Sequence, residues 1–205
     1  MKENFKCIFY IVRHGESEGN TEGICLGQLE SPMTKEGEEQ VRKLANNIKN
    51  VYFDMIFYSP MLRAKRTAEI IANGRPINED RLLKERFVGD FIQGKKETFV
   101  SEYFADTMAD FEKFSDDEKM QFRFTEDGEN GNETADRLLR FLKRTAEENK
   151  GKTVLVVTHS ALIGAFLTKI HHRHYMGMFS SYGVQNSGYV KVVSDGNDFF
   201  VEKVV

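Results

Sequence analysis

The chain has 205 residues, of which 40% are hydrophobic, and this length supports one sizeable core but hardly two. Its 29 basic and 32 acidic residues give a formal net charge of -3, which provides no general attraction to nucleic acids or anionic membranes. We therefore expect a single domain over residues 1–205, no nucleic-acid partner, and an anion site only where basic residues are gathered locally.

Two cysteines, Cys7 and Cys25, are too few for a disulfide framework and favour a reducing compartment. The apolar run after the first six residues is short and leads directly into Arg13 and His14. It therefore lacks the hydrophobic region and the cleavage site of a signal peptide. No stretch approaches the length that crosses a membrane. We expect a cytoplasmic protein with no membrane partner, and the sequence leaves its oligomeric state open.

Strands and helices are predicted to alternate along the chain. Five short runs are rich in β-branched and aromatic residues, which predicts strands in CIFYIV (7–12), YFDMIFY (52–58), TVLVV (153–157), GYVKVV (188–193) and FFVEKVV (199–205). Apolar residues at helical spacing predict helices around 41–48 and 135–146. Ser59, as an N-cap followed by proline, predicts a further helix that ends near Gly74. The order predicts an open, mostly parallel α/β sheet with helices on both faces, with the last strand as a candidate antiparallel edge.

The segment from about residue 87 to 131 interrupts this alternation, because it has no good strand and mixes aromatic with acidic residues. We interpret it as an inserted cap of helix and loop on the main body. Phe99, Tyr103 and Phe104 lie at helical spacing, which predicts an amphipathic helix packed on that body. We interpret the acidic residues as a solvated face rather than a recognition surface.

Chemically versatile side chains follow three of the predicted strands. His14 follows the first, Ser59 follows the second and leads into Arg63, and His159 follows the third. In an open α/β sheet, ligands bind beyond the carboxyl ends of the strands, so these residues are expected to share one crevice. Together with Arg13 and a helix amino end they would form a compact cationic site suited to a phosphoryl group. Taken singly, each residue has a structural alternative, such as a surface charge or a hydrogen-bonded histidine.

Five ordered blocks of the sequence resemble the histidine phosphatase superfamily, also called the phosphoglycerate mutase-like family. They are RHGES (13–17) with Asn20 and SPMTKEG (31–37), SPMLRAKRTAE (59–69), LLKERFVGDFIQG (82–94), NETADRLLRF (132–141) and VLVVTHS (154–160). The blocks span most of the chain in the family's order, which makes the resemblance specific.

This resemblance implies that His14 is the nucleophile, which forms a phosphohistidine that water then hydrolyses. It also implies that Glu85 protonates the leaving group and then activates the water. Without the resemblance, Glu85 would be interpreted as an ordinary surface glutamate. The phosphoryl oxygens would be held by Arg13, Asn20, Arg63 and His159.

No metal and no cofactor are expected, because the cationic side chains replace the magnesium of other phosphoryl-transfer sites. The histidine-rich run at His171, His172 and His174 has no cysteine or carboxylate nearby in sequence, so we interpret it as a solvated loop rather than a metal site.

Three functions remain open: a phosphomonoester hydrolase, a phosphoglycerate-type mutase and a noncatalytic phosphate-binding module. The mutases of the family usually have a tyrosine where this chain has Val88, and an arginine pair in the insertion, where Arg123 is the only arginine. Lys96 stands where mutases carry a lysine. A noncatalytic module would be expected to lack the nucleophile or the acid, and neither is missing. We therefore expect a hydrolase of a small phosphorylated metabolite, with the mutase as the second candidate and the binding module as a distant third.

Two positions depart from the family pattern. Ser160 replaces the usual glycine, and Leu26 replaces a glutamine that is frequent in related phosphatases. Neither change removes a catalytic group, and both are expected to alter the pocket wall.

Overall fold

A computed structural model describes residues 7–175 and 184–205. Its sheet contains six strands, namely β1 (Cys7–Arg13), β2 (Met55–Tyr58), β3 (Asn78–Glu79), β4 (Lys152–Thr158), β5 (Tyr189–Ser194) and β6 (Phe199–Val204). They are arranged in the order β3-β2-β4-β1-β5-β6. The four strands β3, β2, β4 and β1 run parallel to one another, whereas β5 is antiparallel to both β1 and β6. The expected open and mostly parallel sheet is confirmed.

Two details of the sheet differ from the prediction. The strand β3 was not predicted, because it pairs only Asn78 and Glu79 with β2, and two residues carry no alternating pattern. The strand β5 pairs antiparallel with both β1 and β6, whereas the prediction considered an antiparallel pairing only for the last strand. Strand direction follows from the path of the preceding connection, which local composition does not reveal.

The helices are α1 (Glu18–Thr21), α2 (Lys35–Asn47), α3 (Leu62–Ala72), α4 (Glu97–Tyr103), α5 (Ala105–Phe111), α6 (Asp116–Gln121), α7 (Gly131–Glu148) and α8 (Ser160–Lys169), and a single 3₁₀ turn covers Arg81–Leu83. The start of α3 corrects the sequence prediction. Its N-cap is Met61, two residues after the expected Ser59, and it has no side-chain cap. Its end agrees with the prediction, since Asn73 and Gly74 both adopt positive φ there.

The buried strand residues alternate between two apolar cores. On one face of β4, Val154 and Val156 pack with residues of α7 and α8, such as Phe141 and Phe166. On the other face, Leu155 and Val157 pack with residues of α2 and α3. This period of two places helices on both faces of the sheet, as predicted.

The segment 87–131 forms three short helices, α4 to α6, rather than one. Aromatic residues of its second half, with Phe111 at the centre, pack with Tyr175 and against α7 and α8 through Ala135 and Ala165. The helix α4 does not pack as its aromatic spacing predicted, because Phe99 is 42% and Tyr103 is 62% exposed. Instead Val100 is buried with Cys25 and Ile92. In the part of the chain that the structure describes, no helix has both the length and the apolar character needed to cross a bilayer.

Candidate active site

The site lies where three parallel strands end side by side. In the sheet register, Arg13 at the end of β1 is opposite Thr158 at the end of β4, and Tyr58 at the end of β2 is opposite Val157. The next residues along the chain, among them His14, are therefore level with one another at the same sheet edge. The ends of the first, second and third predicted strands therefore meet at one sheet edge, as expected, although Ser59 and His159 do not themselves line the cleft described below.

The His14 ring has a defined tautomer. Its Nδ1 lies 2.7 Å from the carbonyl oxygen of Gly15, which only accepts, so Nδ1 carries the proton. Its Nε2 lies 3.2 Å from the Nε of Arg63, which only donates, so Nε2 holds a lone pair. Two independent contacts therefore agree that Nε2 is the unprotonated, nucleophilic nitrogen.

Both site histidines are held neutral by their surroundings. Burial lowers the pKa of His14 well below its ordinary value, and the charges of Arg63 and Arg13 lower it further. Burial and Arg63 also lower the pKa of His159 well below its ordinary value. A neutral imidazole is the form that a nitrogen nucleophile requires, so the site favours the reactive state of His14.

His159 lies behind His14 rather than in the open cleft. It is fully buried, and its ring centroid is 5.1 Å from that of His14. Its Nε2 is 2.8 Å from the hydroxyl oxygen of Ser59, which explains why Ser59 does not cap α3. Its Nδ1 is buried without a hydrogen-bond partner in residues 7–175 and 184–205. If Ser59 donates to Nε2, Nδ1 carries a proton that is free for a ligand oxygen.

The two arginines are buried at the base of the cleft. Arg63 is 1% exposed and donates to the carbonyl oxygens of Leu29 at 2.8 Å and Gly27 at 3.1 Å, which fixes the guanidinium plane beside His14. Arg13 donates from one terminal nitrogen to the carbonyl of Val184 at 3.0 Å. Its Nε is buried and has no partner within the described residues. Burial lowers the pKa of both arginines from the usual value, and the negative charge of Glu85 opposes that shift.

Buried polar groups without partners are uncommon in folded proteins and call for an explanation. Arg13 Nε and His159 Nδ1 belong to two residues that flank His14. A bound anion would satisfy both groups, which have no partner within residues 7–175 and 184–205.

Close approach of the chain explains the glycine of the RHG sequence. A Cβ atom at Gly15 would lie 2.7 Å from the carbonyl oxygen of Gly37 and from the Val41 side chain. The Gly15 N–H donates to the Thr67 hydroxyl at 3.0 Å, and that hydroxyl donates to the Arg63 carbonyl at 2.8 Å. These contacts join the loop after β1 to α3 and hold His14 and Arg63 together.

Asn20 lines the cleft, and its amide oxygen is already occupied by hydrogen bonds, which leaves its amide nitrogen as the group available to a ligand. The Oδ1 atom accepts from the Ser17 backbone at 3.1 Å, from the Ser17 hydroxyl at 3.0 Å and from Asn186 at 3.3 Å. Asn186 also donates to the His14 carbonyl at 3.2 Å. The sequence analysis did not identify Asn186, because only its position beside β1 in the folded chain links it to the site.

The carboxylate of Glu85 sits at the amino end of α8. It accepts hydrogen bonds from the backbone N–H groups of Ala161 at 3.2 Å, Leu162 at 3.1 Å and Arg86 at 2.8 Å. Helix amino ends attract carboxylates through these free N–H groups. The predicted acid is therefore a held group that lines the cleft, unlike an ordinary surface glutamate.

An ion pair between Arg137 and Glu129 supports the loop that carries Glu85. Arg137 on α7 donates to the carbonyl oxygens of Leu82 at 2.8 Å, Lys84 at 2.9 Å and Glu85 at 3.3 Å. It also pairs with Glu129 at 2.6 Å, and Glu129 accepts from the Phe87 backbone at 2.9 Å. The sequence analysis missed this clamp. Its only available signal was that Arg137 lies in the fourth motif block.

These groups surround a cleft of about 150 Å³, smaller than the pockets that hold drug-sized ligands. Leu26 and Ser160, the two departures from the family pattern, both line it. The Leu26 side chain occupies the space beside Gly19, where a Cβ would meet it at 2.6 Å. Lys96 does not line the cleft, since its amine donates to the Glu22 carbonyl at 2.6 Å.

The histidine-rich run lies in a separate depression. His174 pairs with Asp116 at 2.6 Å and is 94% exposed, while His171 and His172 are also exposed. Across the described residues, no group of three side chains is arranged to hold a metal ion.

The comparisons with known proteins agree with the motif analysis. The sequence profile of the histidine phosphatase superfamily (branch 1) matches residues 9–205. A protein of Bacillus subtilis (strain 168) named uncharacterized phosphatase PhoE is 33% identical over 162 residues, which cover 78% of this chain and 75% of the relative. A protein of Escherichia coli O1:K1 / APEC named probable phosphoglycerate mutase GpmB is 31% identical over 163 residues, covering 78% and 73%.

Solved structures also match along nearly the whole chain. Bacillus stearothermophilus YhfR superposes with a TM-score of 0.83 at 25% identity, covering 96% of this chain and 95% of its own. A Bacillus anthracis phosphoglycerate mutase matches with a TM-score of 0.83 at 21% identity, covering 100% and 95%, which shows the shared fold alone. Phosphatase and mutase names therefore both occur among the similar proteins.

Proposed function

Because this chain belongs to the histidine phosphatase superfamily, we propose that it hydrolyses small phosphomonoesters through a phosphohistidine intermediate, without a metal or cofactor. The observation that carries the proposal is the defined tautomer of His14, whose neutral ring presents a lone pair on Nε2 among buried arginines. A site that only bound phosphate would gain nothing from a neutral, hydrogen-bonded histidine in that position.

The phosphoryl group binds against the donors that surround His14. Arg13 Nε and His159 Nδ1, which have no partner in the part of the chain that the structure describes, donate to its oxygens together with the amide of Asn20. Arg63 transfers its Nε hydrogen bond from His14 to the phosphoryl group, and this transfer frees Nε2. Several fixed positive groups then offset the charge on the equatorial oxygens, where most of the rate acceleration is expected.

In the first chemical step, His14 Nε2 forms a bond to phosphorus as the ester P–O bond breaks. Glu85 enters this step as the carboxylic acid and gives its proton to the departing alkoxide oxygen, which leaves as an alcohol. The Gly15 carbonyl accepts from Nδ1–H and stabilises the positive charge that develops on the ring. In the second step, Glu85 removes a proton from water, the water oxygen bonds to phosphorus, and the N–P bond breaks. Inorganic phosphate leaves, and both residues return to their starting states.

The site favours a hydrolase over a phosphoglycerate mutase. Val88 lines the cleft where mutases have a tyrosine. Lys96 is held by Glu22, and Arg123 donates to the Gly128 carbonyl and pairs with Glu133, away from the cleft. A third arginine that lines the cleft, Arg86, is buried and donates to the Tyr175 hydroxyl at 2.7 Å and to the Glu129 carbonyl at 2.9 Å.

We place this hydrolase in the cytoplasm. Both cysteines are free and buried, and burial raises the pKa of the Cys7 thiol to about 12. Buried free thiols are the usual state in a reducing compartment, which supports this location.

The proposal is tested by assaying p-nitrophenyl phosphate and the two phosphoglycerate isomers with the purified protein. We expect hydrolysis of the aryl ester that is unchanged by a chelator such as EDTA, and no appreciable isomer interconversion. Efficient interconversion of the isomers would show that the protein is a mutase. Loss of hydrolysis after chelation would show that the reaction requires a metal ion. Binding of phosphate without any turnover would indicate the noncatalytic module.

A further inference from the structure

We propose that Glu97 gives the cleft a preference for phosphomonoesters whose alcohol carries a cationic group, as in short aminoalkyl phosphates. This inference rests on the proposed hydrolase function and concerns the same site, because Glu97 lines the cleft together with Arg13 and His14.

The backbone around Glu97 is fixed against a neighbouring loop whose Ile24 and Cys25 also line the cleft. The Glu97 N–H donates to the Gly23 carbonyl at 2.9 Å, and Cys25 donates to the Lys95 carbonyl at 2.9 Å. Gly94 donates back to the Cys25 carbonyl at 3.0 Å. These three bonds join residues 94–97 to residues 23–25, so the carboxylate starts from a fixed point at the cleft mouth.

The Glu97 carboxylate is free to meet a ligand. Among the residues that the structure describes, it forms neither a hydrogen bond nor an ion pair. The adjacent lysines do not neutralise it, because Lys96 is bonded to Glu22 and Lys95 lies over the ring of Phe99 at 6.0 Å. Its charge reaches both Arg13 and the Cys25 thiol, which places it within electrostatic range of the bound phosphoryl group.

Apolar side chains share the cleft lining with these charged groups. Ile24, Leu26 and Val88 line it, as do the buried arginines and Glu97. The complementary ligand has a phosphate, a short apolar stem and a positive group. A substituent with a carboxylate would meet the unpaired charge of Glu97, which also disfavours phosphoglycerates.

The test compares three esters of similar size: 2-aminoethyl phosphate, n-propyl phosphate and 2-carboxyethyl phosphate. The wild-type kcat/KM values are expected to fall in that order. In Glu97→Gln, we expect the value for the aminoethyl ester to fall about fivefold and that for the carboxyethyl ester to rise about fivefold, the scale of one exposed charge interaction. The propyl ester should change less than about twofold. Glu102→Gln, an exposed acid on the same helix that does not line the cleft, serves as the matched control and should change none of the three.

Each result decides the inference. A ratio of aminoethyl to carboxyethyl kcat/KM that is the same in the wild type and Glu97→Gln would overturn it. Equal loss on all three esters would overturn it too, because Glu97 would then act in the chemistry itself. If the wild type cleaves no ester, including p-nitrophenyl phosphate, the proposed function fails. In that case the dissociation constants of the aminoethyl and carboxyethyl phosphates, measured by calorimetry with and without Glu97→Gln, still test the charge preference.

Discussion

The strand ends and the segment 87–131 build the same cleft in different ways. At the strand ends, His14, Arg63 and His159 are nearly or fully buried and are oriented by contacts from distant parts of the chain. The inserted segment consists of short helices, with Phe99 and Tyr103 exposed and with part of its surface open to solvent. The rigid part would perform the chemistry, and the inserted part would select the substrate. A reaction that depends on sub-ångström placement needs side chains whose orientation is fixed by several contacts. Substrate selection can be performed by exposed side chains that have fewer contacts.

This division predicts that changes at the strand ends affect all substrates, whereas changes in the insertion alter the ranking of substrates. The predictions below test that difference, beginning with the change of largest expected effect.

The largest effect is expected for His14→Ala, because it removes the nucleophile. Turnover should fall by roughly three orders of magnitude or more on every phosphate ester. The circular dichroism spectrum and the unfolding transition of the variant should show that it is still folded. The matched control is His172→Ala, which changes an exposed histidine outside the cleft and should leave turnover unchanged. Substantial residual turnover in His14→Ala would contradict the assignment of the nucleophile.

A smaller and selective effect is expected for Glu85→Gln. An alkyl leaving group needs a proton as its bond to phosphorus breaks, whereas a nitrophenolate leaves without help. We therefore expect kcat/KM for an alkyl phosphate to fall by about a hundredfold or more, and that for p-nitrophenyl phosphate to fall much less. Equal losses on both substrates would mean that Glu85 is structural or acts only on the water, and the proton donor would then be sought in the insertion.

The Arg137 clamp should show an intermediate effect. Arg137→Met removes the hydrogen bonds to the carbonyls of residues 82, 84 and 85, so Glu85 loses its exact placement. We expect kcat on alkyl phosphates to fall roughly tenfold to a hundredfold, with little change in KM and a smaller loss on the aryl ester. Arg140→Met, an exposed arginine one turn further along α7, is the control. A uniform loss on both esters would show that Arg137 stabilises the fold without positioning Glu85.

The smallest effect concerns stability and pH. The folded state lowers the pKa of His14 and His159, so it binds protons less readily than the unfolded chain, in which histidine titrates near 6.5. The free energy of unfolding should therefore be constant above this pH. It should decrease as the pH falls from about 6.5 to 5, by up to about 1.4 kcal/mol per pH unit for each histidine.

Urea unfolding at several pH values measures this slope. The slope between pH 6.5 and 5 should be shallower in His14→Ala, because one buried neutral histidine is gone. An unchanged slope would show that folding does not lower the pKa of His14, which would contradict the burial of a neutral ring at this position.

The sequence predicted the framework of the site better than its supports. Strand alternation and helix spacing depend on local periodicity. The pattern alone therefore predicted that His14, Ser59 and His159 lie at the same edge of the sheet. The start of α3 did not follow, because the Ser59 hydroxyl contacts His159, 100 residues away, instead of capping the helix. Arg137 and Asn186 were missed for the same reason, since their contacts join segments that are distant in sequence.

The insertion was the least predictable region. Aromatic spacing indicated that Phe99 and Tyr103 would face the main body, yet Val100 is the residue that is buried. Short helices tolerate several orientations, and the choice here depends on the small apolar cluster of Cys25 and Ile92. Nothing in the sequence around Cys25 or Ile92 indicates that these two residues form a cluster with Val100.

The central claim is that His14 becomes phosphorylated during turnover. The most direct measurement is to quench the wild-type protein under alkaline conditions during hydrolysis of a ³²P-labelled phosphate ester, and to map the protein-bound label by mass spectrometry. The account predicts acid-labile, alkali-stable phosphate on His14, absent from His14→Ala and increased in Glu85→Gln if hydrolysis of the intermediate is slowed more than its formation. Label on Ser17, on Ser59 or on no residue during active turnover would contradict it.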